Sequence, residues 1–123
     1  MSRFLVVAAG GALGAIARYG VALLVALFWR RSFPLGTFIV NITGCFLLGL
    51  FATVAAERME IAPLLRLFVA TGFVGAYTTF STFEYETQRL TEIGAAWWGL
   101  VNVLTSVVAG YAAVRIGVMI ARR

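Results

Sequence analysis

The sequence predicts an all-α integral membrane protein built from four transmembrane helices. Three observations carry that expectation. Of the 123 residues, 62% are apolar, and the mean hydropathy is +0.96, both far above the norm for soluble domains. The apolar residues also gather into four stretches, each near the length of about 20 residues that crosses a bilayer. The linkers left between them are too short to hold a soluble domain. Residues 1–123 therefore read as a single membrane domain, with spans near 4–29, 33–56, 64–92 and 93–120.

The first stretch, Phe4–Trp29, carries one charge, Arg18. Its apolar run is too long for a signal-peptide core, and no small-residue cleavage site follows, so it is read as a span. Arg18 stands 15 residues after Arg3, roughly 22 Å along a helix, which brings it near the far interface. It either snorkels there or lines the mouth of a vestibule and concentrates anions. Gly10 and Gly14 have the small-xxx-small spacing of close helix contacts, and so do Cys45 and Gly49 in the second stretch.

That second stretch, Phe33–Ala56, is uncharged and contains Asn41. An amide at this depth is costly unless it bonds across helices or faces water. Helix glue and an N–H donor lining an ion path are both open readings. Thr43 is less telling, because its hydroxyl can bond back to its own helix. Cys45, the single cysteine, offers neither a disulfide nor a metal set and is read as packing.

The third stretch differs from the others. Residues 71–83 read Thr-Gly-Phe-Val-Gly-Ala-Tyr-Thr-Thr-Phe-Ser-Thr-Phe, with two glycines, five Ser/Thr hydroxyls and three phenylalanines. An interruption is expected near 72–79, with the helix restarting near Thr79. Lipid cannot satisfy backbone groups freed in this way, so such backbone belongs inside protein or beside water. Phe80 and Phe83, three apart, then share a face with Thr79 and Thr82 beside them. Periodicity alone favours packing for the two rings. The hydroxyls around them favour an anion path, since a ring edge is positive. Glu84, Glu86 and Glu92 are the acids that proton coupling would need, and solvation at the end of the span is the simpler account. On the fourth stretch, Ile93–Val114, Asn102, Ser106 and Gly110 recur every four residues along one face. That stripe reads as interhelical glue or as a lining for hydrated ions.

All ten basic residues are arginine and all five acids are glutamate, for a net charge of +5. The arginines are scattered at segment ends, as interfacial anchors are, and do not form a nucleic-acid patch. With four spans, Arg3, Arg58, Arg66, Arg115, Arg122 and Arg123 share one side, and Arg18, Arg30, Arg31 and Arg89 the other. Six against four is a weak bias, which predicts insertion in both orientations and an antiparallel, dual-topology homodimer. The absence of histidine and of phosphate-loop or metal-spacing motifs argues against a soluble enzyme.

The blocks Gly10-Gly11-Ala12-Leu13-Gly14-Ala15-Ile16-Ala17-Arg18-Tyr19, Gly36-Thr37 with Asn41 and Gly44-Cys45-Phe46, and Gly72–Glu84 resemble the Fluc (CrcB) family of fluoride channels. The match covers all four spans in order, and the third block is its most specific part. The resemblance implies a multi-pass protein of the cell membrane (the inner membrane in bacteria). It would be a dual-topology homodimer with two antiparallel pores that pass fluoride passively out of the cell. It further implies a third helix broken at the membrane centre, where backbone carbonyls of Gly75 and Thr78 from both subunits hold a structural Na+. The family's phenylalanine pair maps onto Phe80 and Phe83, its pore asparagine onto Asn41 and its vestibule arginine onto Arg18. Hydroxyls behind the rings map onto Ser81 and Thr82, with Thr79 beside them, and the pore-side acid onto Glu86. The polar track corresponds to Asn102, Ser106 and Gly110. Some relatives carry a tyrosine and a second serine there, a pattern from which this chain departs. Two competing readings are a small multidrug-resistance-like, proton-coupled exporter and a non-conducting accessory subunit. The first is disfavoured because no acid precedes Glu57.

Overall fold

A computed structural model describes residues 2–58 and 60–123, and among these it is entirely helical. The long helices are α1 (Arg3–Phe28) and α2 (Leu35–Glu57). A composite third rod follows, made of α3 (Pro63–Arg66), a π-helical segment (Leu67–Val74), α4 (Gly75–Tyr77) and α5 (Phe80–Glu92). The chain closes with α6 (Ala96–Arg122). Four rods, counting Pro63–Glu92 as one, are long and apolar enough to cross a membrane.

Local chemistry sets the turns between them. Pro34 directly precedes α2 and Pro63 opens α3, both places where a missing N–H costs nothing. After α5, Gly94 adopts a positive φ of 79°. Its N–H bonds the Thr91 carbonyl at 3.1 Å, and the Ala95 N–H bonds that of Leu90 at 2.8 Å. This is a Schellman cap, which needs glycine at the left-handed position. It turns the chain directly into α6.

Two packing pairs organise the molecule. α1 lies against the π-helical half of the third rod, and α2 lies against α6, with α5 also resting on α6. The α1 contact is backbone on backbone. A Cβ on Gly10 would collide with the Phe68 carbonyl, and one on Gly14 with that of Phe73. On the second pair, a Cβ on Gly49 would meet the Val114 backbone. The small-residue spacings that the sequence offers for association are thus used for packing within one chain. Large apolar residues such as Phe4, at 87% exposure, point outward along the helices, which suits a surface solvated by lipid.

The third rod departs from helix more narrowly than residues 72–79. Gly72 lies within the π-helical segment, and a Cβ there would sit 2.8 Å from the Val7 carbonyl. That glycine is needed for close approach to α1. Only Thr78 (φ −80°, ψ 157°) and Thr79 (φ −151°, ψ 115°) are extended between α4 and α5.

Candidate functional site

The two extended threonines are held from the side by α2. Asn41 donates from Nδ2 to the Thr79 carbonyl at 3.0 Å and accepts the Thr79 N–H on Oδ1 at 2.8 Å. One side-chain amide thereby takes over both backbone groups of a residue that has left the helix, which is how such groups are satisfied away from water. Thr79 also caps α5: its buried hydroxyl accepts the Thr82 N–H at 3.3 Å and donates to Thr82 Oγ1 at 3.0 Å. Threonine is a favoured residue at this N-cap position. Ser81 Oγ lies 3.5 Å from the same hydroxyl.

These diversions leave an imprint on the preceding turn. In an unbroken helix the Gly75 carbonyl would accept from Thr79 and the Thr78 carbonyl from Thr82. Both donors are engaged elsewhere, on Asn41 and on the Thr79 hydroxyl. Gly75 is exposed, and a Cβ on it would find only the Ala70 carbonyl, at 3.7 Å. Behind the extended pair the packing is tight, since a Cβ on Gly44 would overlap the Thr78 methyl. Tyr77 is buried there, stacks on Phe73 with centroids 5.8 Å apart, and shares a 2.8 Å hydrogen bond with Thr43. Thr43 also bonds back to the Ile39 carbonyl at 2.7 Å.

Beside the two extended residues lies a groove of about 290 Å³. Asn41, Thr78, Thr79, Phe80, Phe83 and Ser106 line it, from α2, the third rod and α6. The two rings lie 5.8 Å apart between centroids but differ sharply in environment. Phe83 is 6% exposed, whereas Phe80 is 74% exposed and projects from the chain. The groove thus brings apolar rings together with the Asn41 amide and the hydroxyls of Thr78, Thr79 and Ser106.

The α6 stripe divides. Asn102, 1% exposed, donates to Thr87 Oγ1 at 3.0 Å and accepts from Ser106 at 3.3 Å, so it ties α6 to α5. Ser106 reaches the groove. Gly110 faces Cys45, whose sulfur would lie 3.5 Å from an added Cβ, and serves helix packing. Arg18 is half-buried and is not among the residues that line the groove.

Of the three α5 acids, Glu84 and Glu92 are exposed, with Glu92 paired to Arg89 at 3.0 Å. Glu86 is different. Its Oε1 accepts from Thr37 Oγ1 at 2.9 Å, while Oε2 is buried with no partner among the described residues. Solvation does not account for it. Thr37 and Thr87 complete these polar links, and sequence reasoning assigned neither a role. Thr37 stands one helical turn before Asn41, so the shared face was a usable signal.

Fold and site together define a multi-pass membrane protein with a partly polar groove beside the extended residues Thr78 and Thr79. Residues 5–118 match the family described as CrcB-like protein, Camphor Resistance (CrcB), and the chain belongs to that family. It is 46% identical over 121 residues to the fluoride-specific ion channel FluC of Solibacter usitatus, covering 98% of this chain and 99% of that one. The FluC of Acidobacterium capsulatum is also 46% identical, with 98% and 97% covered. FluC 1 of Streptomyces avermitilis is 46% identical over 119 residues, with 97% and 95% covered.

Proposed function

We propose that the protein is a fluoride-selective channel that lets fluoride leave the cell passively, and that it works as an antiparallel, dual-topology homodimer. The observation that carries this reading is near full-length similarity to proteins named fluoride-specific ion channels. The groove supports it physically. Fluoride is small and strongly hydrated, so a selective path must replace its water with donors. Asn41 retains one Nδ2 proton beyond its bond to Thr79, the hydroxyls of Thr79, Ser81, Thr82 and Ser106 stand nearby, and ring edges of Phe80 and Phe83 add a weak positive field. Weak, multiple sites favour passage over trapping. A second copy would close the open side and give Phe80 an enclosed environment.

The proposed reading includes a third helix broken at the membrane centre and a structural Na+ there, on carbonyls of Gly75 and Thr78 from both subunits. The residues present fit that ion, because both carbonyls have lost the amide donors that a continuous helix would supply. When bound, the ion would supply positive charge that favours a nearby anion. Asn41 keeps the Thr79 peptide in the extended conformation that turns this backbone aside. A proton-coupled exporter is less well supported, since α1 contains no acid.

Liposomes loaded with fluoride and chloride test the proposal. Purified protein is expected to release fluoride, read with a fluoride electrode, without an imposed proton gradient and with little chloride release. Release that requires a proton gradient would turn the assignment to an exporter, and no release at all to an accessory subunit.

A further inference from the structure

At the opposite end of the α2–α6 pair from the C-terminus, the first loop encloses a separate cavity of about 690 Å³. We propose that it binds one anionic phospholipid, with the phosphate on Arg30 and Arg31 and an acyl chain along Phe38, Val101 and Thr105.

The lining changes character with depth. Its mouth is formed by Arg30, Arg31 and Ser32, which lie in the loop between α1 and α2. Its floor, toward the middle of the spans, is an open apolar face formed by Phe38 on α2 and Val101 and the exposed Thr105 on α6. Thr105 is seven residues beyond Trp98, roughly 10 Å further along the helix. The Thr105 hydroxyl is spent on the Val101 carbonyl at 2.6 Å, so the deep end presents carbon. A charged mouth over an apolar floor at the end of two spans matches the headgroup-to-acyl boundary of a bilayer. A soluble anion would satisfy the mouth and leave the floor empty.

The walls are braced before any ligand arrives. Trp29 Nε1 donates to the Phe33 carbonyl at 2.7 Å. The Phe33 ring stands edge-on to Phe38 at 5.5 Å and to Trp98 at 6.3 Å. The Arg31 guanidinium lies over the Trp29 ring at 5.8 Å, which orients the cation and leaves its N–H groups free for an anion. Neither Arg30 nor Arg31 forms an ion pair among the described residues, and residues 29–34 contain no acid. Glu86 lines the adjoining cavity, which Arg31 also borders, but its Oε1 is held by Thr37.

Native mass spectrometry of the purified protein with phosphatidylglycerol or phosphatidylcholine of identical chains provides the test. One phosphatidylglycerol per chain should be retained in preference to phosphatidylcholine. Arg30→Gln/Arg31→Gln should weaken that retention roughly thirtyfold, as expected when two interfacial cations are lost. Val101→Trp, which fills the floor, should weaken retention of both lipids. Arg115→Gln/Arg123→Gln, an equal charge change at the other end, should leave retention unchanged. Equal retention of the two lipids, or equal loss in both arginine pairs, overturns the proposal. So does displacement of the lipid by millimolar inorganic phosphate, which would make the mouth a free-anion site. An absence of retained lipid in the purified protein also overturns it.

Discussion

Asn41 shows how one side chain can hold backbone that has left its helix. Its amide makes two hydrogen bonds to Thr79, and both are to backbone. Asn41→Ala leaves that N–H unmatched and strips the Thr79 carbonyl of its second donor, and an unmade buried bond costs about 1–3 kcal/mol. The expected outcome is a lower detergent melting temperature together with fluoride efflux slowed at least about tenfold. Asn41→Asp keeps the acceptor but turns a carboxylate oxygen toward the Thr79 carbonyl, so efflux near neutral pH should fall further than in Asn41→Ala. Wild-type efflux in both variants would remove Asn41 from the path. The phenylalanines separate by burial. Phe83→Ile should lower both thermal stability and efflux, because the ring is packed. Phe80→Ile should slow efflux with the melting temperature of the detergent-solubilised protein nearly unchanged, because that ring projects from the chain. The sequence left Asn41 open between glue and donor for a physical reason. Its partner is a main-chain group 38 residues away, and backbone partners leave no mark on residue identity.

At the scale of elements, the four spans were legible because hydropathy acts over about 20 residues and requires no knowledge of partners. The extent of the irregular segment was less so. A glycine at membrane depth signals either unwinding or close approach, and the two look alike in sequence. Gly72 turned out to serve close approach to α1, and the backbone becomes extended only at Thr78 and Thr79. Composition does not announce a π-helical segment either, since Leu67–Val74 is apolar apart from Thr71 and Gly72 and neither residue signals that winding. The α1 contact now makes a sharp prediction. Gly14→Val places a branched side chain against the Phe73 carbonyl, where backbone cannot yield cheaply. Folded protein, scored by a single peak in size-exclusion chromatography, should be largely lost. Gly20→Val, on the same helix with open space around its Cβ position, should elute as the parent does.

For the molecule as a whole, the decisive question is whether the open groove is completed by an inverted second copy. Phe80 and Gly75 both lie on the exposed side of the third rod, so a partner docked there would cover the groove and the freed carbonyls at once. The charge distribution makes inversion feasible. Six arginines at one end and four toward the other give only a small preference for either orientation, because orientation follows the excess of cations near the span ends. A bidentate pair of Arg122 with Glu57, at 2.7 Å, gives no help to either orientation, since acids contribute little to that rule. The test places a lone cysteine at Ala62, an exposed position between α2 and α3, in a Cys45→Ser background. Under the proposed dual topology, a membrane-impermeant maleimide added outside intact cells should modify about half of the molecules, the share expected without a strong cation bias. The remainder should react once the membrane is opened. Adding Arg122→Gln and Arg123→Gln should shift that ratio, because the cation excess at that end is then gone. Modification of all molecules or none from outside, in both backgrounds, would show a single orientation and leave the groove without its inverted partner.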